Sequence, residues 1–261
     1  GMDNYRYPSE MPILLVTITV IGIVVLFSAG LTICVLPAFL GLVVLMAYLA
    51  NKAHTQALIQ GAARVTPENA PQLASLVQDC VTRLRPGQVQ VFVTRERQLN
   101  AYTFGLNQPF TVVLFAPLLK VMDADELRFI IGHELGHVAL GHTWLNSLLG
   151  GMAGVPTTLG LAVILVAAFR WWNRACEYSA DRAGLIACRN PEKAVSALVK
   201  LASGGARGSA EMQNALARIE AEDDSWTNVA AESLSTHPMV VRRIAELRKF
   251  AASSEYRRMT A

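Results

Sequence analysis

The residues best suited to chemistry lie in one run, Gly132-His133-Glu134-Leu135-Gly136-His137. Residues four apart share one face of an α-helix, so the imidazoles of His133 and His137 can converge on one cation. Two histidines at this spacing, with a glutamate directly after the first, are typical of a hydrolytic Zn2+ site. We predict that His133 and His137 bind the metal. Glu134 is the predicted general base, because it lies beside the ligands and within reach of a water that zinc activates.

A catalytic zinc site of this kind uses a third protein ligand, and the segment Glu177-Tyr178-Ser179-Ala180-Asp181 offers one. Glu177 and Asp181 lie one helical turn apart, so Glu177 can bind the metal while Asp181 orients a ligand histidine from behind. His142 is the competing ligand. Its offset from His137 turns it about 140° away around the helix, which predicts a surface or supporting position for it.

The spacing arguments above require that these side chains lie on helices, and the flanking sequence predicts such helices. Asp123 followed by Glu126 has the capping-box spacing and predicts a helix that continues through Leu140. A second helix is expected to begin at Thr66-Pro67-Glu68. Further helices are predicted at about 173–188, 191–203, 209–222 and 238–251, and strands at 88–94 and 111–115. The predicted fold class is mostly α with a small β-sheet.

The first part of the chain is strongly apolar, with no Asp, Glu, Lys or Arg between Glu10 and Lys52. As one helix, residues 11–50 would be about 60 Å long, about twice the hydrocarbon thickness of a bilayer. We therefore predict a transmembrane helical hairpin of two spans at 11–50, with its turn near Ser28-Ala29-Gly30.

The remaining residues, 51–261, have the pattern of a soluble domain and are predicted to form the domain that contains the metal site. Arg6, Lys52 and Arg64 flank the predicted hairpin on one side, whereas its turn carries no charge. The positive-inside bias therefore places both ends of the hairpin, and the domain that follows, in the cytoplasm. The prediction is a multi-pass protein of the cell inner (cytoplasmic) membrane, with the lipid bilayer as a partner.

A second apolar stretch, residues 144–172, separates the two halves of the predicted metal site. A single membrane crossing there is excluded, because it would put His133 and Glu177 on opposite sides. A hairpin bent near 150–157 would return Trp144, Trp171 and Trp172 to one interface, where such side chains are favoured. Three interpretations stay open: a membrane hairpin, a hairpin buried in the soluble domain, and a dip into the near leaflet.

Composition excludes several other classes of protein. Hydrophobic residues make up 52% of the chain and charged residues only 16%, which argues against a wholly soluble protein. The net charge is +3, and no Lys/Arg cluster is interleaved with aromatic residues, so a nucleic acid is not an expected partner. Cys34, Cys80, Cys176 and Cys188 form no C-x-x-C pair, which predicts reduced, mostly buried thiols.

Several segments together resemble the HtpX-like and CAAX prenyl protease family of membrane zinc metallopeptidases. They are H-E-L-G-H at 133–137, E-Y-S-A-D-R-A-G at 177–184, Asn100-Ala101-Tyr102-Thr103-Phe104-Gly105, and Ser235-Thr236-His237-Pro238 read with Arg243-Ile244. The resemblance covers the chain from the N-terminal hairpin to about Leu247. It implies a zincin-like metallopeptidase domain behind a transmembrane hairpin.

The resemblance also implies roles for single residues. Zinc would be bound by His133, His137 and Glu177, with Glu134 catalytic. Asp181 would support the site, and His237 and Arg243 would approach the substrate carbonyl or the oxyanion. Residues 100–105, beginning with the supporting residue Asn100, would shape the wall of the cleft, next to an edge strand able to pair with an extended peptide.

The function predicted is that of a membrane-anchored zinc endopeptidase that cuts unfolded or membrane-associated polypeptides, with a role in protein quality control. Prenylated peptides are a less favoured substrate. A catalytically silent zinc-containing membrane scaffold is the alternative, and the presence of Glu134 beside the predicted ligands argues against it. A helical membrane partner protein with an accidental motif is the third interpretation.

Overall fold

The computed structural model describes residues 5–32, 35–149, 160–204, 214 and 240–261. The described helices are α1 (Glu10–Thr32), α2 (Val35–Gln60), α3 (Pro71–Leu84), α4 (Ala116–Val121), α5 (Ala124–Ala139), α6 (Thr143–Leu149), α7 (Gly160–Cys188), α8 (Pro191–Ser203), α9 (Val240–Ala251) and α10 (Ser254–Thr260). The described strands are β1 (Ala63–Arg64), β2 (Val89–Thr94), β3 (Ala101–Phe104) and β4 (Phe110–Phe115). The predicted class, mostly α with a small sheet, is confirmed in these residues.

Helix α5 contributes many of the residues of the hydrophobic core. It begins with the predicted capping box: the Asp123 carboxylate accepts from the backbone N–H groups of Asp125 and Glu126, and the Glu126 carboxylate accepts from the N–H of Asp123. Nearly every side chain that follows is buried, among them Phe129, Ile131 and Leu135. A helix that is buried on all sides has no amphipathic pattern, and it is stabilised by packing against the neighbouring elements.

The four strands form one mixed sheet in the order β1-β2-β4-β3. β2 and β4 run parallel, with Val91 opposite Val112, while β1 and β3 pair antiparallel with β2 and β4. β3 is therefore an edge strand. The segment 100–105, predicted to lie next to an edge strand, contains that strand itself.

Helices α5 and α7 approach each other closely because small residues line their contact. A Cβ atom added at Gly136 would lie 2.5 Å from the Cβ of Ala183, and one added at Gly132 would lie 2.4 Å from the Cβ of Ala187. Carbon atoms in normal contact are about 3.5–4.0 Å apart, so only glycine fits at these two positions without a shift. This contact fixes the distance between the two halves of the predicted metal site.

The first two helices differ from the prediction in their bounds. Helix α1 continues through 28–30 to Thr32, so a turn at Ser28-Ala29-Gly30 is wrong, and α2 extends to Gln60. Among the described residues, one helix is long and apolar enough to cross a membrane, with its window at Glu10–Phe27. Exposed apolar side chains on these helices are Met11, Leu15, Val16, Ile18, Ile23, Leu26, Phe27, Phe39, Leu42, Leu45, Met46 and Leu49.

Helix α3 begins later than predicted, at Pro71 rather than at Thr66-Pro67-Glu68. Thr66 and Asn69 instead close a turn, in which the Thr66 N–H donates to Asn69 Oδ1 at 2.9 Å and the Ala70 N–H donates to the Thr66 carbonyl at 3.0 Å. Threonine and asparagine side chains that bond to nearby backbone compete with helix formation, which explains the shift.

The apolar segment 144–172 is described only at its two ends. The bend predicted near 150–157 lies outside the described residues, as does the helix predicted at 209–222 apart from residue 214. Trp144 and Trp171 are exposed, whereas Trp172, predicted to lie at the same interface, is buried, with its ring centroid 6.0 Å from that of His142. Trp172 is thus part of the core beside the predicted site.

The thiols of Cys80, Cys176 and Cys188 are free and buried, as predicted. Burial raises the pKa of Cys80 to about 12 and that of Cys188 to about 11. Thiols in this state are inert at neutral pH.

We predict that Gly136→Ala destabilises the protein, because its new methyl group meets Ala183 at the α5–α7 contact. Overpacking costs about 1–3 kcal/mol, more than the ~1 kcal/mol that alanine gains over glycine in a helix. Gly61→Ala is the control, since a Cβ there meets nothing within 4 Å. Thermal unfolding of the detergent-purified protein measures the effect, and Ala183→Gly should restore stability to the Gly136→Ala protein. A Gly136→Ala protein as stable as the Gly61→Ala protein would contradict the close contact.

Candidate metal centre

Three side chains from α5 and α7 converge on one point. The Nε2 atoms of His133 and His137 lie 3.3 Å apart, and carboxylate oxygens of Glu177 lie 3.5 Å and 3.4 Å from them. Ligand atoms at about 2.0–2.1 Å from a tetrahedral zinc ion lie about 3.3 Å from one another, so the spacing fits that ion. All three residues are buried, and together they form a group able to hold a metal ion.

The donor set gives a second test of this fit. The Nδ1 atom of His133 lies 3.0 Å from Oδ1 of Asp181 and donates its hydrogen to that carboxylate. A neutral imidazole that donates from Nδ1 has only a lone pair at Nε2. The point of convergence is therefore lined by lone pairs of nitrogen and carboxylate oxygen, an arrangement that a cation stabilises.

Arg243, on α9, holds the carboxylates from the other side. Its Nε and Nη2 donate to the two oxygens of Asp181 at 2.8 Å and 2.7 Å, and its Nη1 lies 3.4 Å from Glu177. Burial by itself would raise the pKa of the Asp181 carboxyl, but Arg243 and the bond from His133 hold it below its usual value. The bidentate bond keeps Asp181 ionised and fixed, ready to accept from His133.

The predicted role of Arg243 at the substrate oxyanion would use Nη1, the guanidinium nitrogen that does not bond to Asp181. Two of its nitrogens are used by Asp181, which leaves Nη1 beside Glu177. The approach of Arg243 to a substrate stays a prediction. The structure adds a contact with the predicted ligand set that sequence reasoning did not include.

Glu134 lies beside the ligands and is oriented by the edge strand. The hydroxyl of Thr103 on β3 donates to Oε2 of Glu134 at 2.7 Å. The second carboxylate oxygen, Oε1, has no described hydrogen bond, and 7% of the residue is exposed. Thr103 belongs to the segment 100–105 that carried the resemblance, but nothing in the sequence indicated that it would hold Glu134.

His142 is not a surface residue, since only 1% of it is exposed. Its Nδ1 lies 3.0 Å from Nδ1 of His137, and its Nε2 lies 3.0 Å from Oε1 of Glu10. Burial lowers the pKa of His142 to about 4, so the ring is neutral at pH 7. Of the two positions predicted for His142, at the surface or in support of the metal site, the structure has the supporting one. Sequence reasoning did not find Glu10, because it lies 132 residues before His142 in the chain.

Two predicted site residues have no described contact with the ligand set. His237 lies outside the described residues. Asn100 is exposed, its side chain accepts from the N–H of Ala101, and its carbonyl accepts from the N–H of Phe115 at 3.1 Å. The predicted support of the metal site by Asn100 therefore stays a prediction, and the described bonds of Asn100 serve the start of β3.

Comparison with known proteins agrees with this geometry. The family model described as Peptidase family M48 matches residues 67–251. The plastoglobule-localized metallopeptidase 48 of Arabidopsis thaliana is 30% identical over 186 residues, which cover 64% of this chain and 53% of that protein.

Two bacterial proteins named protease HtpX homolog are also similar. The protein of Ralstonia nicotianae is 28% identical over 226 residues, covering 75% of this chain and 79% of its own. The protein of Burkholderia thailandensis is 28% identical over 268 aligned positions, which cover 91% of this chain and 93% of that protein. The family match spans the helices that carry the two histidines and both carboxylates, so the chain belongs to peptidase family M48 and is a zinc-dependent metallopeptidase.

Proposed function

We propose that this metallopeptidase is a membrane-anchored endopeptidase that cleaves unfolded or membrane-associated polypeptides, with its active site facing the cytoplasm. The observation that supports it best is the convergence of His133, His137 and Glu177 at tetrahedral spacing, with Glu134 beside them. A zinc ion held by these three ligands would supply Lewis-acid chemistry, which would polarise the scissile carbonyl and lower the pKa of a water molecule toward 7.

Glu134 moves the proton in the proposed reaction. Its Oε1 atom takes a proton from the attacking water, whose oxygen forms a bond to the carbonyl carbon of the peptide. As the C–N bond breaks, the same carboxyl group gives the proton to the leaving nitrogen. Thr103 donates to Oε2, so the hydroxyl keeps Glu134 oriented while Oε1 changes its protonation state.

His237 and Arg243 complete the proposed machinery. The resemblance assigns them to the substrate carbonyl or oxyanion, where a hydrogen-bond donor stabilises developing negative charge. Arg243 has a second proposed role, which is to position Asp181 and Glu177 behind the metal.

The edge strand β3 supports the proposal of a polypeptide substrate. Among the described strands β3 pairs only with β4, and its residue Thr103 contacts Glu134. An extended peptide added along such an edge forms backbone hydrogen bonds that do not depend on its sequence. Unfolded chains supply extended segments, which favours them as substrates over folded proteins.

The N-terminal helices support the proposed membrane anchor at 11–50. Helix α1 has an apolar window of 18 residues, only 17% of which is buried. Large apolar side chains are exposed along both α1 and α2, which water disfavours and lipid accommodates. The domain at 51–261 would then lie on the side of Arg6, Lys52 and Arg64.

We predict that the purified protein binds one zinc ion per chain, and that His133→Ala, His137→Ala and Glu177→Ala each lower occupancy sharply. Each variant removes one of three converging ligand atoms. Elemental analysis of detergent-purified protein gives the stoichiometry, with His54→Ala as control because His54 is an exposed histidine. Full zinc content in the Glu177→Ala protein would assign the third ligand elsewhere.

Glu134→Gln should retain zinc and lose activity, because glutamine keeps the shape of the side chain and its bond to Thr103 but is no base. We expect the rate of casein degradation to fall by about 10²–10⁴. Equal zinc content in both proteins is the control. A Glu134→Gln protein that degrades casein at the wild-type rate would favour the silent scaffold.

Membrane topology can be tested with single cysteines at both ends of the proposed hairpin. Ser9 and Gln60 are exposed, so Ser9→Cys and Gln60→Cys in a Cys34→Ser background provide accessible thiols. We expect an impermeant thiol reagent to label both only after the cytoplasmic side has been opened. Labelling of the two cysteines from opposite sides would mean one span instead of two.

A further inference from the structure

A chain of three side chains connects the first helix to a proposed zinc ligand. Nδ1 of His137 faces Nδ1 of His142 at 3.0 Å, and Nε2 of His142 faces Oε1 of Glu10 at 3.0 Å. Glu10 is the first residue of α1 and is 0% exposed. A fully buried carboxylate at the start of an apolar helix is costly unless it is paired, so its partners indicate what it does.

The hydrogen positions along this chain follow from the position of the metal site. Nε2 of His137 points to the convergence with His133 and Glu177, so the proton of its ring lies on Nδ1. Nδ1 of His137 then donates to Nδ1 of His142, which leaves the single proton of His142 on Nε2. That Nε2–H donates to Glu10, so each nitrogen of both rings has one role.

The other oxygen of Glu10 is held by helix α7. The hydroxyl of Ser179 donates to Oε2 of Glu10 and accepts from the backbone N–H of Tyr7 at 2.8 Å. Arg6 forms an ion pair with Glu10 and donates to the carbonyl of Leu140, at the end of α5, at 2.9 Å. The carboxylate is thus fixed between the two helices that carry the proposed ligands.

We infer that Glu10 is a positioning residue for the zinc ligand His137, acting through His142, so that helix α1 is a part of the metal centre as well as an anchor. The inference rests on the proposed ligand set. Outer hydrogen bonds of this kind fix the orientation of a ligand ring and raise its basicity. For His133 the same task is done directly by Asp181.

A second metal ion is the competing explanation for this cluster. Ligand atoms of Glu10, His142 and Cys176 all lie within 4.8 Å of one another. Both ring nitrogens of His142 are already in hydrogen bonds, however, and the guanidinium of Arg6 lies against Glu10. A bound cation would have to break one of these bonds and approach a positive charge, so the geometry favours the hydrogen-bonded chain.

The inference is tested by the zinc affinity of the detergent-purified protein. Competition with a chromophoric chelator measures that affinity. Because loss of an outer hydrogen bond costs about 10–100-fold in metal affinity, we expect a loss of that size in Glu10→Ala and a smaller one in Glu10→Gln. Thr17→Val is the matched control: Thr17 is also buried on α1, and its hydroxyl donates to the Ala168 carbonyl on α7, with no described hydrogen bond to His142.

The Co2+-substituted protein provides a readout that does not depend on activity. A change in the orientation of His137 should alter the visible absorption bands of cobalt in Glu10→Ala but not in Thr17→Val. His142→Phe should lower zinc affinity as much as Glu10→Ala does. The double variant should lose no more than either single variant, because both act along one path.

The outcomes separate this inference from the proposed function. If wild-type protein fails to bind zinc through His137, the proposed ligand set is wrong and the inference falls with it. If the ligand set holds, wild-type affinity and cobalt spectrum in Glu10→Ala would overturn the inference alone, as would an equal loss in Thr17→Val. Two zinc ions per chain, reduced to one in Glu10→Ala, would replace it by the second metal site.

Discussion

The metal centre depends on the contact between α5 and α7. Both histidines come from one helix and Glu177 from the other, so the distance between the two helix axes decides whether three ligand atoms meet. Gly132 and Gly136 permit that distance, because their missing side chains allow Ala187 and Ala183 to touch the backbone of α5. The most prominent motif in the sequence therefore does two tasks. Its histidines and glutamate are the proposed ligands and general base, and its two glycines permit the close packing.

Close packing brings together more negative charge than a protein interior tolerates alone. Glu134, Glu177 and Asp181 are all buried near one point. Arg243 neutralises part of this charge through a bidentate bond to Asp181, and a zinc ion held by His133, His137 and Glu177 would neutralise more of it. Removing one member of a buried ionic group leaves the others unpaired, which costs far more than the loss of one bond at a surface. The geometry of the site and the stability of the domain are thus coupled.

The parts of this structure that follow local rules are predictable from the sequence. The spacing of His133 and His137, the capping box at Asp123 and the strands at 88–94 and 111–115 each depend on neighbours within a few residues. Helix α3 begins later than its helix-start signals predict, because Thr66 and Asn69 form side-chain hydrogen bonds to the backbone of a turn, and such signals do not account for that competition. The bonds from Thr103 to Glu134 and from Glu10 to His142 join residues far apart in sequence. Only the folded chain brings such pairs together, so no spacing rule finds them.

The position of Arg243 along the chain has a consequence for biosynthesis. Chains are made from the N terminus at about 5–20 residues per second, and early segments fold while later ones are still on the ribosome. Helices α5 and α7 emerge well before α9, so the growing polypeptide has both histidines and both carboxylates of α7 but no guanidinium to hold Asp181 in place. The proposed site therefore lacks the contact between Arg243 and Asp181 until translation has passed residue 243.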